Sequence, residues 1–198
     1  MLLYDSPVSG NCYKVRLLLA QLGLAYERRS VDVVDRTGRA ELLGDLNPAW
    51  RIPVLVLDDG RPLAESNAIL CHLAGGTPHL PDDGYVRSQV LQWLFFEQNL
   101  HEPNIAVVRF WLSFAAERPP APEIASRQAA GYQALAVMEN HLASHDFLVD
   151  DRYTIADIAL YAYTHVAGDG DFDLHGHPAI SRWLARVAAE PGHVTIDA

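Results

Sequence analysis

The apolar positions of this chain change rhythm near residue 77. Before that point short apolar runs alternate with helical spacing, and after it the spacing is helical throughout. Leu2 to Tyr4 predicts a short strand, and Ser6-Pro7 with Ser9-Gly10 a loop. From Cys12 a helix is expected, with Val15, Leu18, Leu19 and Leu22 on one face and Gly23 as its stop. Tyr26 to Val34 reads as a second strand, residues 36–45 as a short irregular helix, and Asn47-Pro48 as a turn. Val54 to Leu57 predicts a third strand, and Asp59-Gly60 signals a hairpin into Pro62-Leu63-Ala64. Another helix opens at Ser66 and ends near Gly75-Gly76. The order is β-α-β-α-β-β-α.

Breakers from Gly75-Gly76-Thr77-Pro78 to Pro81-Asp82-Asp83-Gly84 mark an interdomain linker. They divide the chain into an α/β domain (1–76), a linker (77–85) and an all-helical domain (86–198). A long helix is expected over 86–117, bent at Pro103. The Arg118-Pro119-Pro120-Ala121-Pro122 stretch breaks it, and a second helix follows over 124–143 with Tyr132, Leu135, Met138 and Leu142 inward. Thr154-Ile155-Ala156-Asp157 has the spacing of a capping box. Pro178 suits a first helical turn, and Ile180, Trp183, Leu184 and Val187 form a last apolar face. There are no internal repeats.

Composition narrows the function. The chain has 198 residues, 49% hydrophobic and 20% charged, as in globular proteins with a substantial core. A net charge of −10 argues against a nucleic-acid partner. An anionic ligand would need a local basic patch, and Lys14, Arg28, Arg29, Arg36, Arg39 and Arg51 all fall within residues 1–51. Met1 leads directly into an apolar strand rather than a cleavable leader, and no apolar run is long enough to span a bilayer. Two cysteines, Cys12 and Cys71, make no disulfide framework. The expectation is a cytoplasmic protein without a membrane partner.

Three short stretches carry candidate chemistry: Ser9-Gly10-Asn11-Cys12, Arg51-Ile52-Pro53, and Glu65-Ser66-Asn67-Ala68. Ile52-Pro53 fits either a trans proline opening an edge strand or a cis proline in a tight turn. Glu65 can pair with an ammonium group. The Ser66 hydroxyl and the free amides at a helix start suit a carboxylate, although Ser66 could equally cap its own helix. Together they fit a small zwitterionic peptide.

These stretches, in this order and with the late Thr154-Ile155-Ala156-Asp157, resemble the cytosolic glutathione transferase family over nearly the whole chain. The Ser-Gly-Asn-Cys-Tyr-Lys-Val run is similar to bacterial members related to the nu class. The resemblance implies a thioredoxin-like domain followed by a helical domain, and glutathione as co-substrate without a metal. It also implies a homodimer, with the first domain of one subunit against the helices of the other. It makes Ile52-Pro53 cis, with the Ile52 main chain pairing with the cysteinyl backbone of glutathione. Glu65 and Ser66 then hold the γ-glutamyl end, and Arg51 the glycine carboxylate. The family often has glycine where Trp50 stands.

A free thiol has a pKa near 8.5, and the thiolate is the nucleophile. Lowering that pKa by about two units requires roughly 2.7 kcal/mol of selective thiolate stabilisation. Ser9 and Asn11 are the expected catalytic donors; Ser9 capping the first helix is the simpler alternative. Cys12 competes with them, because a cysteine at a helix N-terminus can be reactive. It lies within the expected helix, later than the active cysteine of cysteine-type transferases. Tyr4 and Tyr13 are weaker candidates.

An apolar second substrate is expected against the long helix, where Phe110, Trp111 and Phe114 have His101, Asn104 and Arg109 as polar neighbours. Core packing and dimer contact are the better explanation for each aromatic. Asp169 to Asp173 is no calcium loop, since Leu174 and Ile180 stand at positions six and twelve. His175-Gly176-His177 is too small a cluster for a metal site. The leading function is use of the glutathione thiolate, either on a small apolar electrophile in detoxification or on a disulfide. The alternative is a non-catalytic glutathione-binding or regulatory protein of the same fold.

Overall fold

The computed structural model describes residues 1–198, which form two compact units. The first joins Met1–Gly75 with the tail Pro191–Ala198, and the second is Gly76–Glu190. The tail therefore belongs with the α/β unit, and not with the helices as the sequence suggested.

In the first unit, β1 (Leu2–Asp5), α1 (Gly10–Gln21), β2 (Glu27–Ser30), α2 (Arg39–Leu43), β3 (Val54–Val56), β4 (Pro62–Ala64) and α3 (Ser66–Leu73) follow in the expected order. The sheet order is β2-β1-β3-β4, with β1 parallel to β2 and antiparallel to β3. Successive strand residues point to opposite faces. Leu3 and Leu55 pack with Val15 and Leu19 of α1 and Ile69 of α3, while Tyr4 and Val54 pack with Val31 and Leu43 on the other face. This is the thioredoxin-like α/β arrangement. β2 is shorter than expected: its residues are all exposed and pair only with β1, so charged Glu27, Arg28 and Arg29 sit at an edge.

The tail is fastened to α1 and to the loop ahead of it. The Tyr13 hydroxyl donates to Val194 O at 2.8 Å. Buried Arg16 donates to Asp5 Oδ1 (2.5 Å), Ser6 O (3.1 Å) and Pro7 O (3.3 Å), and also to Ile196 O. Arg28 donates to Asp5 Oδ2 at 2.7 Å and to Ala198 O at 2.8 Å. One buried guanidinium thus ties the Ser6-Pro7 turn to the tail.

The second unit is helical: α4 (Gly84–Phe96), α5 (Glu102–Ser113), α6 (Ala121–Leu142), α7 (Ile155–Thr164) and α8 (Pro178–Ala188). The single helix expected over 86–117 is two, separated by a π-helical turn at Glu97–His101. Pro103 lies in the first turn of α5, where its missing N–H costs nothing, so the irregularity comes just before it. Gly131 of α6 is required by packing, since a Cβ there would meet the Phe172 ring at 2.6 Å.

The capping box at α7 forms, with Ala156 N donating to Thr154 Oγ1 and Thr154 N to Asp157 Oδ2. Asp157, fully buried, also accepts from Leu148 N (3.0 Å) and Trp183 Nε1 (2.9 Å) through Oδ1. Glu139 of α6 caps α8, accepting from Ala179 N and Ile180 N at 2.9 Å each. Two carboxylates therefore tie the end of α6 to the start of α8 and the start of α7 to Trp183 within α8.

Candidate functional site

Two helix N-termini and one loop of the first unit carry the residues expected to hold a peptide thiol. Ser9 is the N-cap of α1, and its Oγ accepts from Cys12 N at 3.3 Å. Capping uses a lone pair and leaves the hydroxyl proton to donate, so capping and catalysis are compatible. Asn11 follows in the first turn, partly exposed. No acidic side chain lies in that turn to offset its positive end.

Ser66 does not cap α3. The N-cap is Glu65, whose backbone is left-handed (φ 69°) and whose side chain makes no capping bond. Such a φ is costly for a residue with a Cβ and marks a constrained position. The Ser66 hydroxyl, almost fully buried, donates to Asn11 Oδ1 at 3.0 Å. Lys14 Nζ donates to the same Oδ1 at 2.7 Å and lies 3.4 Å from Ser66 Oγ. The starts of α1 and α3 are thus joined by one polar cluster.

Between these helices in sequence, Ile52-Pro53 is a cis peptide. Ile52 lies beyond the end of β3, outside the ladder that begins at Val54. Asn47 braces the preceding loop, donating to Arg51 O at 2.9 Å and accepting from Ala49 N at 3.0 Å. Trp50 adopts φ 52°, the left-handed conformation glycine takes most easily, and keeps half its surface exposed. Exposed Arg51 lines a cleft of about 300 Å³ with Trp50, Arg36 and Arg39. None of these three guanidinium groups pairs with a carboxylate: Arg39 reaches only the main-chain oxygen of Asp32, and its buried Nε has no partner. The cleft is therefore a place for an anion.

Cys12 is fully buried, and burial, with Asp5 adding to it, pushes its thiol up to about 12. At neutral pH it is protonated and out of reach. Alkylation by iodoacetamide at neutral pH should therefore leave Cys12 unmodified in the folded protein, read by peptide mass spectrometry, and Cys12→Ser should keep most activity. Rapid labelling of Cys12, or an inactive but folded Cys12→Ser, would make this a cysteine-type enzyme. Tyr13 is likewise buried and bound to the tail.

The residues expected around a second substrate separate within the helical unit. His101 is fully buried and shares a 2.9 Å hydrogen bond with Thr164 Oγ1, so it is a core residue and lines no open site. Arg109 is also buried, donating to Asp169 Oδ2 at 3.0 Å with its guanidinium 4.9 Å from the Phe114 ring centre. That ion pair engages the guanidinium Nε. Phe110 and Phe114 stay together at 6.4 Å between ring centres, and Trp111 instead faces Arg127 at 5.9 Å. Asn104 donates to Leu100 O at 2.7 Å, one turn back.

Lys14 was read from sequence only as one of several basic residues. Its spacing of three from Asn11 on α1 is the signal that pairs them. Asn47 was read only as a turn residue. Nothing in the local sequence pairs Ser66 with Asn11, 55 positions apart.

A thioredoxin-like sheet, a cis-proline loop and two polar helix starts, with a helical unit downstream, define a thiol-peptide-binding protein of the transferase type. Known proteins agree. The family model for the glutathione S-transferase N-terminal domain matches residues 3–78, and that for the C-terminal domain matches 101–191. A crystal structure of a glutathione S-transferase from Pseudomonas fluorescens is 48% identical with a TM-score of 0.94, each chain covering 98% of the other. Glutathione S-transferase 3 of Zea mays is 30% identical over 96% of this chain and 89% of its own. Disulfide-bond oxidoreductase YfcG of Escherichia coli K12 is also 30% identical, over 96% of this chain and 90% of its own. The chain belongs to the glutathione S-transferase family.

Proposed function

We propose that this enzyme reduces disulfides with glutathione, holding the glutathione thiolate between Ser9 and Asn11. The observation that carries the reading is the Ser66–Asn11 hydrogen bond, which links the candidate γ-glutamyl site to the candidate sulfur site. Glutathione spans such a distance with its γ-glutamyl group at Glu65 and Ser66 and its cysteinyl main chain along Ile52, beside Pro53. Its glycine carboxylate then enters the cleft of Arg51, with Arg36 and Arg39 adding positive potential.

The chemistry proceeds in two exchanges. The thiolate attacks one sulfur of the substrate disulfide, forming a mixed disulfide and expelling a thiolate that takes a proton. A second glutathione thiolate attacks the mixed disulfide, releasing glutathione disulfide and the reduced substrate. Ser9 and Asn11 stabilise the attacking anion before the first step, and the α1 N-terminus adds to this. The same thiolate would serve addition to an electrophile, and Phe110, Trp111, Phe114 and Asn104 remain candidates for an apolar partner. Family membership supports a homodimer as the working form and the cytoplasm as its compartment.

Two experiments test this. Turnover on a panel of disulfides, in parallel with electrophiles, should favour the disulfides. Tight glutathione binding with no turnover on either panel would instead make the protein a binding or regulatory one. For the γ-glutamyl site, where the Ser66 hydroxyl would turn from Asn11 Oδ1 to the incoming carboxylate, Ser66→Ala should weaken glutathione affinity by about 1–3 kcal/mol, the cost of an unmet charged acceptor. Unchanged affinity by calorimetry, in a folded variant, would remove Ser66 from the site.

A further inference from the structure

Lys14 is a charged side chain with no accessible surface, lying one turn inside α1 behind Asn11 and Ser66. An ammonium group can only donate, so the Asn11 atom 2.7 Å from Nζ must be the amide oxygen. The Ser66 hydroxyl, 3.0 Å away, donates to that same oxygen. Two inward donors on Oδ1 settle which way the amide faces. Its NH₂ end is then turned to the other side, at the partly exposed mouth of α1. A flipped amide would set its own N–H groups against an ammonium, so the wrong orientation is strongly disfavoured.

We infer that Lys14 is a positioning residue for the reaction: its buried ammonium locks the Asn11 amide with Oδ1 inward, so that Nδ2 is presented as a donor to the glutathione sulfur. The inference rests on the assignment of Asn11 to that sulfur. Lys14 touches no reacting atom. It acts by orientation, and without it the Asn11 amide can rotate and offer its oxygen to an anion that oxygen repels. A preorganised donor is worth more than one that must reorient during the reaction.

The test reads the ionisation of enzyme-bound glutathione from thiolate ultraviolet absorbance against pH. Lys14→Met keeps the length of the side chain and removes the donor. It should raise the apparent pKa of the bound thiol by about one unit, a tenfold loss of thiolate at neutral pH. In an Asn11→Ala background the same substitution should add nothing further. Should Lys14→Met fail to fold, Lys14→Gln serves, since its amide ends one bond short of the position of Nζ and carries no charge; the same rise is expected. Lys14→Arg, which keeps a charged donor, should shift the titration less than Lys14→Met.

An unchanged titration in a folded Lys14→Met or Lys14→Gln, with Asn11→Ala shifted, would overturn the positioning role and leave Asn11 as the sulfur donor. An equal rise in both backgrounds would overturn it too, because Lys14 would then act on the sulfur as a charge rather than through Asn11. No shift in Asn11→Ala itself would overturn both assignments together.

Discussion

Asn11→Ala is expected to lose at least about tenfold in disulfide turnover, and removal of one donor to a developing anion often costs 10²–10³. The variant deletes the amide proposed to face the glutathione sulfur at the mouth of α1. It also removes the acceptor of the Ser66 hydroxyl and so disturbs the proposed γ-glutamyl side of the site. S-methylglutathione, which has no thiol to ionise, separates the two effects: its affinity reports only the peptide-binding part. Ser9→Ala should cost a comparable factor, because its oxygen caps α1 through a lone pair and its hydroxyl keeps a proton to donate. The two losses need not add, since both donors are proposed to serve one sulfur. Steady-state kinetics on a disulfide substrate give the answer, and a folded Asn11→Ala with full kcat would contradict the role.

The largest stability effect is expected at Asp157. Its carboxylate accepts from Leu148 N, Thr154 N and Oγ1, and Trp183 Nε1, all buried. Asp157→Ala leaves several buried donors unmet, at about 1–3 kcal/mol each when nothing replaces the acceptor. A total of about 3–5 kcal/mol follows, or roughly 10 °C in Tm for a chain of this size. The effect depends on pH. Burial raises the Asp157 carboxyl from 3.8 to about 6, so the fold holds this proton more tightly than the unfolded chain does. Stability from that proton is fully present below pH 3.8 and is lost as pH rises through about 6. The gap between wild type and Asp157→Ala should therefore narrow from about pH 4 to pH 7 in denaturant titrations. A widening gap would mean that the four donors outweigh burial.

Much of the fold was legible because local signals agreed with the packing. Leu3 and Leu55 sit on one face and Tyr4 and Val54 on the other, as strand alternation requires. Thr154 and Asp157 formed the capping box their spacing predicts. The failures were of two kinds. Periodicity cannot distinguish a continuous helix from one interrupted by a π turn, so α4 and α5 were read as one. Nor does it reveal long-range pairing: the tail was assigned to the helices because nothing local to Val194 or Ile196 points to Tyr13 and Arg16.

The site shows the same division. Ile52-Pro53 and Ser9 lie where motif and capping chemistry put them. His101 and Arg109 were read as substrate contacts from their neighbourhood in sequence, yet their nearest partners are Thr164 and Asp169, about 60 positions away. Lys14 carried no motif of its own. Its meaning depends on Ser66 arriving from a different helix.

A crystal structure of the protein soaked with glutathione tests the central claim most directly. The sulfur is expected within hydrogen-bonding distance of both Ser9 Oγ and Asn11 Nδ2, with the γ-glutamyl carboxylate at Ser66, the cysteinyl main chain paired with Ile52, and the glycine carboxylate in the Arg51 cleft. A sulfur bonded to Cys12, or a glutathione bound away from the starts of α1 and α3, would contradict it.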